Sequence, residues 1–77
     1  MKKQEFIDLL LSELGETETQ AYETTELKSL EVWDSMASLV LISIVDSTFS
    51  VTLSSDQIEN FKTFKEVIEA IGGNKFS

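Results

Sequence analysis

Seventy-seven residues make one small domain; a core of this size holds about ten to fifteen large apolar side chains and leaves no room for a deep catalytic cleft. The chain contains no Cys, His or Pro, which excludes disulfides, thiolate metal sites and a Ser-His-Asp triad. Fourteen Asp/Glu against six Lys leave a net charge of −8, which argues against nucleic acid and anionic membranes and for basic partner surfaces.

The acidity is uneven: residues 1–34 carry nine acidic side chains and three Lys, residues 35–77 five and three. The opening Met1-Lys2-Lys3-Gln4-Glu5 turns acidic too quickly for a secretory leader, and no apolar run is long enough for a membrane span. A cytoplasmic, monomeric protein without membrane insertion is expected. Neither catalytic residues nor metal ligands are expected, so the chain reads as non-enzymatic.

Residues 4–14 read as the first helix. Phe6, Ile7, Leu10 and Leu14 share one face, while Glu5, Asp8, Ser12 and Glu13 lie largely on the other. Gly15 follows as a helix C-terminus prefers. Residues 16–34 form a long polar connection in which Leu27 and Leu30 make a short turn pinned to the core and Trp33 anchors the end. The acidic residues Glu16, Glu18, Glu23, Glu26 and Glu31 read as a solvated face.

Residues 35–49 form the second helix. Leu41, Ile42, Val45 and Phe49 are its expected core face, Met36 and Val40 point almost the opposite way, and Leu39 and Ile44 flank them. Asp46 is its one charged residue. A helix apolar nearly all round is either buried on every side or offers a docking stripe, and the domain is too small for the first. Ser35 opens this helix with its hydroxyl exposed. A helix start carries unpaired N–H groups and the positive end of the macrodipole, so a phosphate is stabilised there. In a chain without Cys or His, that placement suggests a serine to be modified and not one that catalyses.

Ser50 to Ser54 form an extended link, with Val51 and Leu53 tucked inward. Ser54 and Gln57 make a capping box for a helix over residues 55–60, and Thr63 and Glu66 make a second for a helix over 63–71. Phe64, Val67, Ile68 and Ile71 face inward on the last helix, Gly72-Gly73 ends it, and residues 74–77 fray. The expected fold is all-α: an antiparallel four-helix bundle packed around Phe6, Leu10, Leu41, Ile42, Val45, Phe49, Ile58, Phe61, Phe64 and Ile68.

Three features of this reading resemble the acyl carrier protein family. Asp34-Ser35-Met36 is similar to its Asp-Ser-Leu attachment motif, at the head of the second helix just before mid-chain. Phe49-Ser50-Val51-Thr52-Leu53 is similar to the phenylalanine and alternating aliphatics that follow that helix. The order and lengths of the elements agree over nearly the whole chain. The resemblance implies that Ser35 receives 4′-phosphopantetheine from coenzyme A through a phosphopantetheinyl transferase. Asp34, on the same resemblance, assists that transferase and its metal. The arm's thiol then carries acyl intermediates as thioesters in lipid or polyketide biosynthesis, delivering them in trans to an acyl ligase, acyltransferase or synthase. Met36 and the second helix supply the docking surface, with Ala37, Val40 and Ile44 as further contacts.

The family's helix usually holds carboxylates where this chain has Ala37, Val40 and Ser47. Partners should therefore meet a more apolar surface, and a specialised pathway is expected in place of core fatty-acid synthesis. Trp33 in the motif points the same way. The competing reading is an unmodified acidic helical adaptor that binds a partner through Met36, Val40 and Ile44.

Overall fold

The computed structural model describes residues 1–16, 20–30 and 33–76. The architecture is all-α. Four α-helices are described, α1 (Lys3–Glu13), α2 (Ser35–Phe49), α3 (Ser55–Asn60) and α4 (Phe64–Ile71), with 3-10 turns at Leu27–Ser29 and Gly73–Lys75. Among the described residues there is no strand, only an isolated antiparallel bridge between Glu26 and Thr63. No helix among them is long and apolar enough to cross a membrane.

Local chemistry sets most helix ends. At the start of α1 the Glu5 carboxylate accepts the Lys2 N–H at 3.0 Å. This is half of a capping box, because a lysine side chain has no acceptor to complete it. At its end Gly15 takes φ +83°, Glu16 N–H donates to the Leu11 carbonyl at 2.8 Å and Gly15 N–H to that of Ser12 at 3.0 Å. That pair of bonds is a Schellman motif, which a residue with a Cβ would strain. At α3 the capping box is complete: Gln57 N–H donates to Ser54 Oγ at 3.2 Å and Ser54 N–H to Gln57 Oε1 at 2.9 Å.

The second capping box does not form. Thr63 precedes α4 but its side chain caps nothing, and the Glu66 carboxylate accepts instead from Lys62 N–H at 3.1 Å. The Glu66 N–H that the Thr63 side chain would take donates to the Thr63 carbonyl at 3.2 Å, and the connection after α1 occupies the two amides before it. Phe64 N–H donates to the Thr25 carbonyl at 3.4 Å and Lys65 N–H to that of Glu23 at 2.9 Å, while Leu27 N–H donates to that of Lys62 at 2.9 Å. The segment is also tied to α1, since Gln4 Nε2 donates to the Ala21 carbonyl at 2.7 Å. Leu27 and Leu30 are buried beneath the turn they form. We expect Ser54→Ala to cost about 1 kcal/mol and Thr63→Ala less than about 0.5 kcal/mol in urea unfolding; equal losses would contradict this capping scheme.

The core draws Phe6, Ile7, Leu10 and Leu11 from α1, Ala37, Leu41 and Val45 from α2, Ile58 from α3, and Phe64, Val67, Ile68 and Ile71 from α4. Ala21, Leu53 and Phe61 close it from the connections. Two expected core residues, Ile42 and Phe49, are only half-buried, and Leu14 is half-buried where Leu11 is fully so. The inward face of α2 is therefore Ala37, Leu41 and Val45, at i, i+4 and i+8. It is turned from the expected one, with Ala37 fully buried in place of Ile42 and Phe49.

The tail is ordered through Phe76, against the fraying expected from residue 74. Phe76 packs its ring on Phe6 and Phe49, with centroids 5.8 and 5.0 Å away. Phe6 and Phe49 meet each other edge to face at 5.8 Å. Lys75 Nζ lies 3.5 Å from the Phe49 carbonyl. That places a cation at the C-terminus of α2, whose last turn has no basic residue of its own. Phe76→Ala should lower stability by about 1–2 kcal/mol, read as a shift in the urea midpoint; an unchanged midpoint would mean the ring contributes no packing. Ser77 lies outside the described residues.

Candidate functional site

The turn into α2 is built by Asp34, not Ser35. Asp34 is extended, and its Oδ1 accepts the Ala37 N–H at 3.0 Å while its carbonyl accepts the Ser38 N–H at 3.2 Å. With the cap supplied by the aspartate, Ser35 falls at the first helical position and its hydroxyl is not needed for capping. Ser35 is exposed, and among the described residues its hydroxyl has no hydrogen-bond partner. An unengaged oxygen at the electropositive end of a fifteen-residue helix is the local chemistry of this site.

The surface behind it is apolar. Met36 is 67% exposed and Leu39 61%, three residues apart on the outward face of α2. The other expected contacts fall elsewhere. Ala37 has no exposed surface, so it offers nothing to a partner; it sits on the inward face of α2 with Leu41 and Val45. Val40 and Ile44 are half-buried and pack against the core as one shoulder of the helix. The outward apolar pair is thus Met36 and Leu39. Leu39 was expected on a flank because α2 has no polar face by which to orient it. Ser43, Asp46 and Ser47 continue the exposed face toward the C-terminus.

A half-open groove of about 440 Å³ lies beside Ser35 and reaches α3. Trp33, Leu39 and Ile42 supply its apolar lining; Ser35, Ser38 and Ser55 contribute hydroxyls. Asp34 and Glu59 add carboxylates, and no lysine lines it. Trp33 is half-buried, packed on the core with one side and on the groove with the other. Only the motif residues Trp33 to Ser35 signalled this place in the sequence. Ile42, Ser55 and Glu59 carried no signal, because they meet only when α3 packs near the start of α2.

The acidic residues expected as a solvated face divide. Glu26 is exposed, Glu16 and Glu23 are partly buried, and Glu18 and Glu31 lie outside the described residues. Glu23 approaches Lys3 at 4.0 Å, a surface pair that adds little stability. Among the described residues no three carboxylates are grouped so as to hold a metal ion. No family model, no curated protein and no solved structure matches this chain.

Proposed function

We propose that this chain is an acyl carrier protein: an antiparallel four-helix carrier, without catalytic activity, bearing 4′-phosphopantetheine on Ser35. The observation that carries the reading is an exposed Ser35 hydroxyl, without a hydrogen-bond partner among the described residues, at the first position of α2, preceded by an aspartate cap and flanked by an open groove. In the attachment step Ser35 Oγ forms a new bond to the phosphorus that bears the pantetheine arm of coenzyme A. The bond from that phosphorus to the adenosine 3′,5′-bisphosphate leaving group breaks, and the hydroxyl proton passes to a base on the transferase. When bound, the arm supplies a thiol that holds acyl groups as thioesters.

The chain's own residues do the rest. The N-terminal dipole of α2 stabilises the phosphate. Asp34 keeps the turn in shape through one carboxylate oxygen and leaves the other for the transferase's metal. Met36 and Leu39 give the transferase and later enzymes an apolar ridge next to the attachment point, and the scarcity of charge on α2 makes that docking weakly dependent on salt. A ligase, acyltransferase or synthase of a specialised pathway fits such a surface better than the enzymes of core fatty-acid synthesis.

The test is to incubate the purified chain with coenzyme A and a broad-specificity phosphopantetheinyl transferase, then measure intact mass. A single phosphopantetheine addition that maps to Ser35 supports the carrier; no addition ends it. The same exposed pair of apolar side chains would serve an unmodified adaptor, and on that reading partner binding persists in Ser35→Ala.

A further inference from the structure

We propose that Met36 is a reversible oxidation site that controls docking at the head of α2. The inference rests on the carrier reading and goes further by naming a modification that regulates it. The sequence holds two methionines, Met1 and Met36, and no cysteine. In a chain without thiols, methionine thioethers are the first side chains a peroxide attacks. Met36 is 67% exposed, the most of any large apolar side chain among the described residues, and Met1 is 43% exposed. Met36 stands at the second position of α2, directly after Ser35.

Hydrogen peroxide delivers one oxygen atom to the thioether sulfur. An S–O bond forms and the O–O bond breaks; the sulfur gives up two electrons and the peroxide leaves as water. A dithiol-dependent methionine sulfoxide reductase reverses the step: the oxygen leaves as water and the dithiol closes to a disulfide. The sulfoxide puts a polar acceptor where the docking ridge had an apolar group. A partner that covers Met36 and Leu39 must then strip water from that oxygen, which opposes binding. The fold is not called on to do so. Met36 stays in solvent in either form, while Ala37, Leu41 and Val45 make the buried face of α2. Oxidation therefore weakens docking without loosening the domain.

The experiment treats the unmodified full chain with hydrogen peroxide, removes the excess with catalase, and measures kcat/KM of a broad-specificity phosphopantetheinyl transferase acting on it. Peptide mapping by mass locates the added oxygen, and each protein is compared with itself before treatment. Met36 should take up oxygen ahead of Met1. The oxidised chain should be modified about threefold to tenfold more slowly, the size of one lost apolar contact at an interface, with unchanged circular dichroism and urea midpoint. Methionine sulfoxide reductase should restore the rate. Met36→Leu, which keeps Met1 and Trp33, should be modified at the same rate before and after peroxide. Oxidation of Met1 ahead of Met36, an oxidised chain modified as fast as the untreated one, a slowing that persists in Met36→Leu, or one that accompanies a lowered urea midpoint overturns control by Met36 and leaves the carrier intact. Refusal of phosphopantetheine by the untreated chain overturns the carrier reading, and this proposal with it.

Discussion

On the proposed carrier reading, Ser35→Ala should abolish phosphopantetheine addition completely and leave the fold unchanged. Both halves follow from the geometry at the head of α2. The Ser35 hydroxyl is exposed at the first position of that helix, whereas the Ser38 hydroxyl a turn further on donates to the Asp34 carbonyl; the alanine variant has no oxygen at position 35 to take the phosphorus. Removal costs the fold little because the oxygen makes no hydrogen bond among the described residues and Asp34 does the capping. The stability change should stay within about 0.5 kcal/mol. Intact mass after transferase treatment and urea unfolding measure the two halves. A phosphopantetheine mass gain that persists in the alanine variant places the attachment elsewhere and refutes the site. Asp34 separates its two roles in the same assays. Asn is as good a cap as Asp, so Asp34→Asn should hold stability within about 0.5 kcal/mol while slowing modification if the carboxylate serves the transferase.

The second large effect concerns two residues only two apart on α2. Ala37→Glu should remove much of the domain's stability, and Leu39→Glu should leave it nearly unchanged. Ala37 is fully buried, so a glutamate there adds volume to a packed face and strands an unpaired charge, at a cost of about 3–5 kcal/mol or more. A domain of this length has about 4–12 kcal/mol in total at roughly 0.05–0.15 kcal/mol per residue. Leu39 faces solvent, so its substitution should change stability by less than about 0.5 kcal/mol. Circular dichroism during urea titration reads both. A stable, helical Ala37→Glu would show that the inward face of α2 is wrongly assigned here. The contrast also bears on docking, because carboxylates at the position of Ala37 cannot be a surface feature of this chain, whereas Met36 and Leu39 can.

The same pair shows why some of the molecule was readable from residues alone. On α1 and α4, polar and apolar positions alternate at the helical period, so Phe6, Leu10, Phe64, Val67, Ile68 and Ile71 declare which way each helix faces. Gly15 and the Ser54-Gln57 box act within a few residues of themselves, and they close and open their helices as such local chemistry requires. α2 has one charge in fifteen residues, and a helix that is apolar all round carries no directional signal. Its orientation came out turned, with Ile42 and Phe49 on the shoulder and Ala37 inside.

Features that depend on distant partners were not legible for the same physical reason. Thr63 looks like a side-chain cap, yet the Glu66 N–H takes its carbonyl, and the carbonyls of Glu23 and Thr25 arrive from elsewhere in the chain to satisfy Lys65 and Phe64. Phe76 looks like part of a loose tail until Phe6 and Phe49 provide rings for it to pack on. The groove needs Trp33, α2 and α3 together.

Residue types and their short-range order were therefore sufficient for an acidic, all-helical chain, for most helix ends and for a serine at the mouth of the second helix. These rest on hydrogen bonds and periodicities that span a few residues. Tertiary packing alone decided which side of α2 is buried, what caps α4, where the tail ends and what lines the space beside Ser35. Each of those depends on surfaces brought together from opposite ends of the chain, which no local pattern encodes.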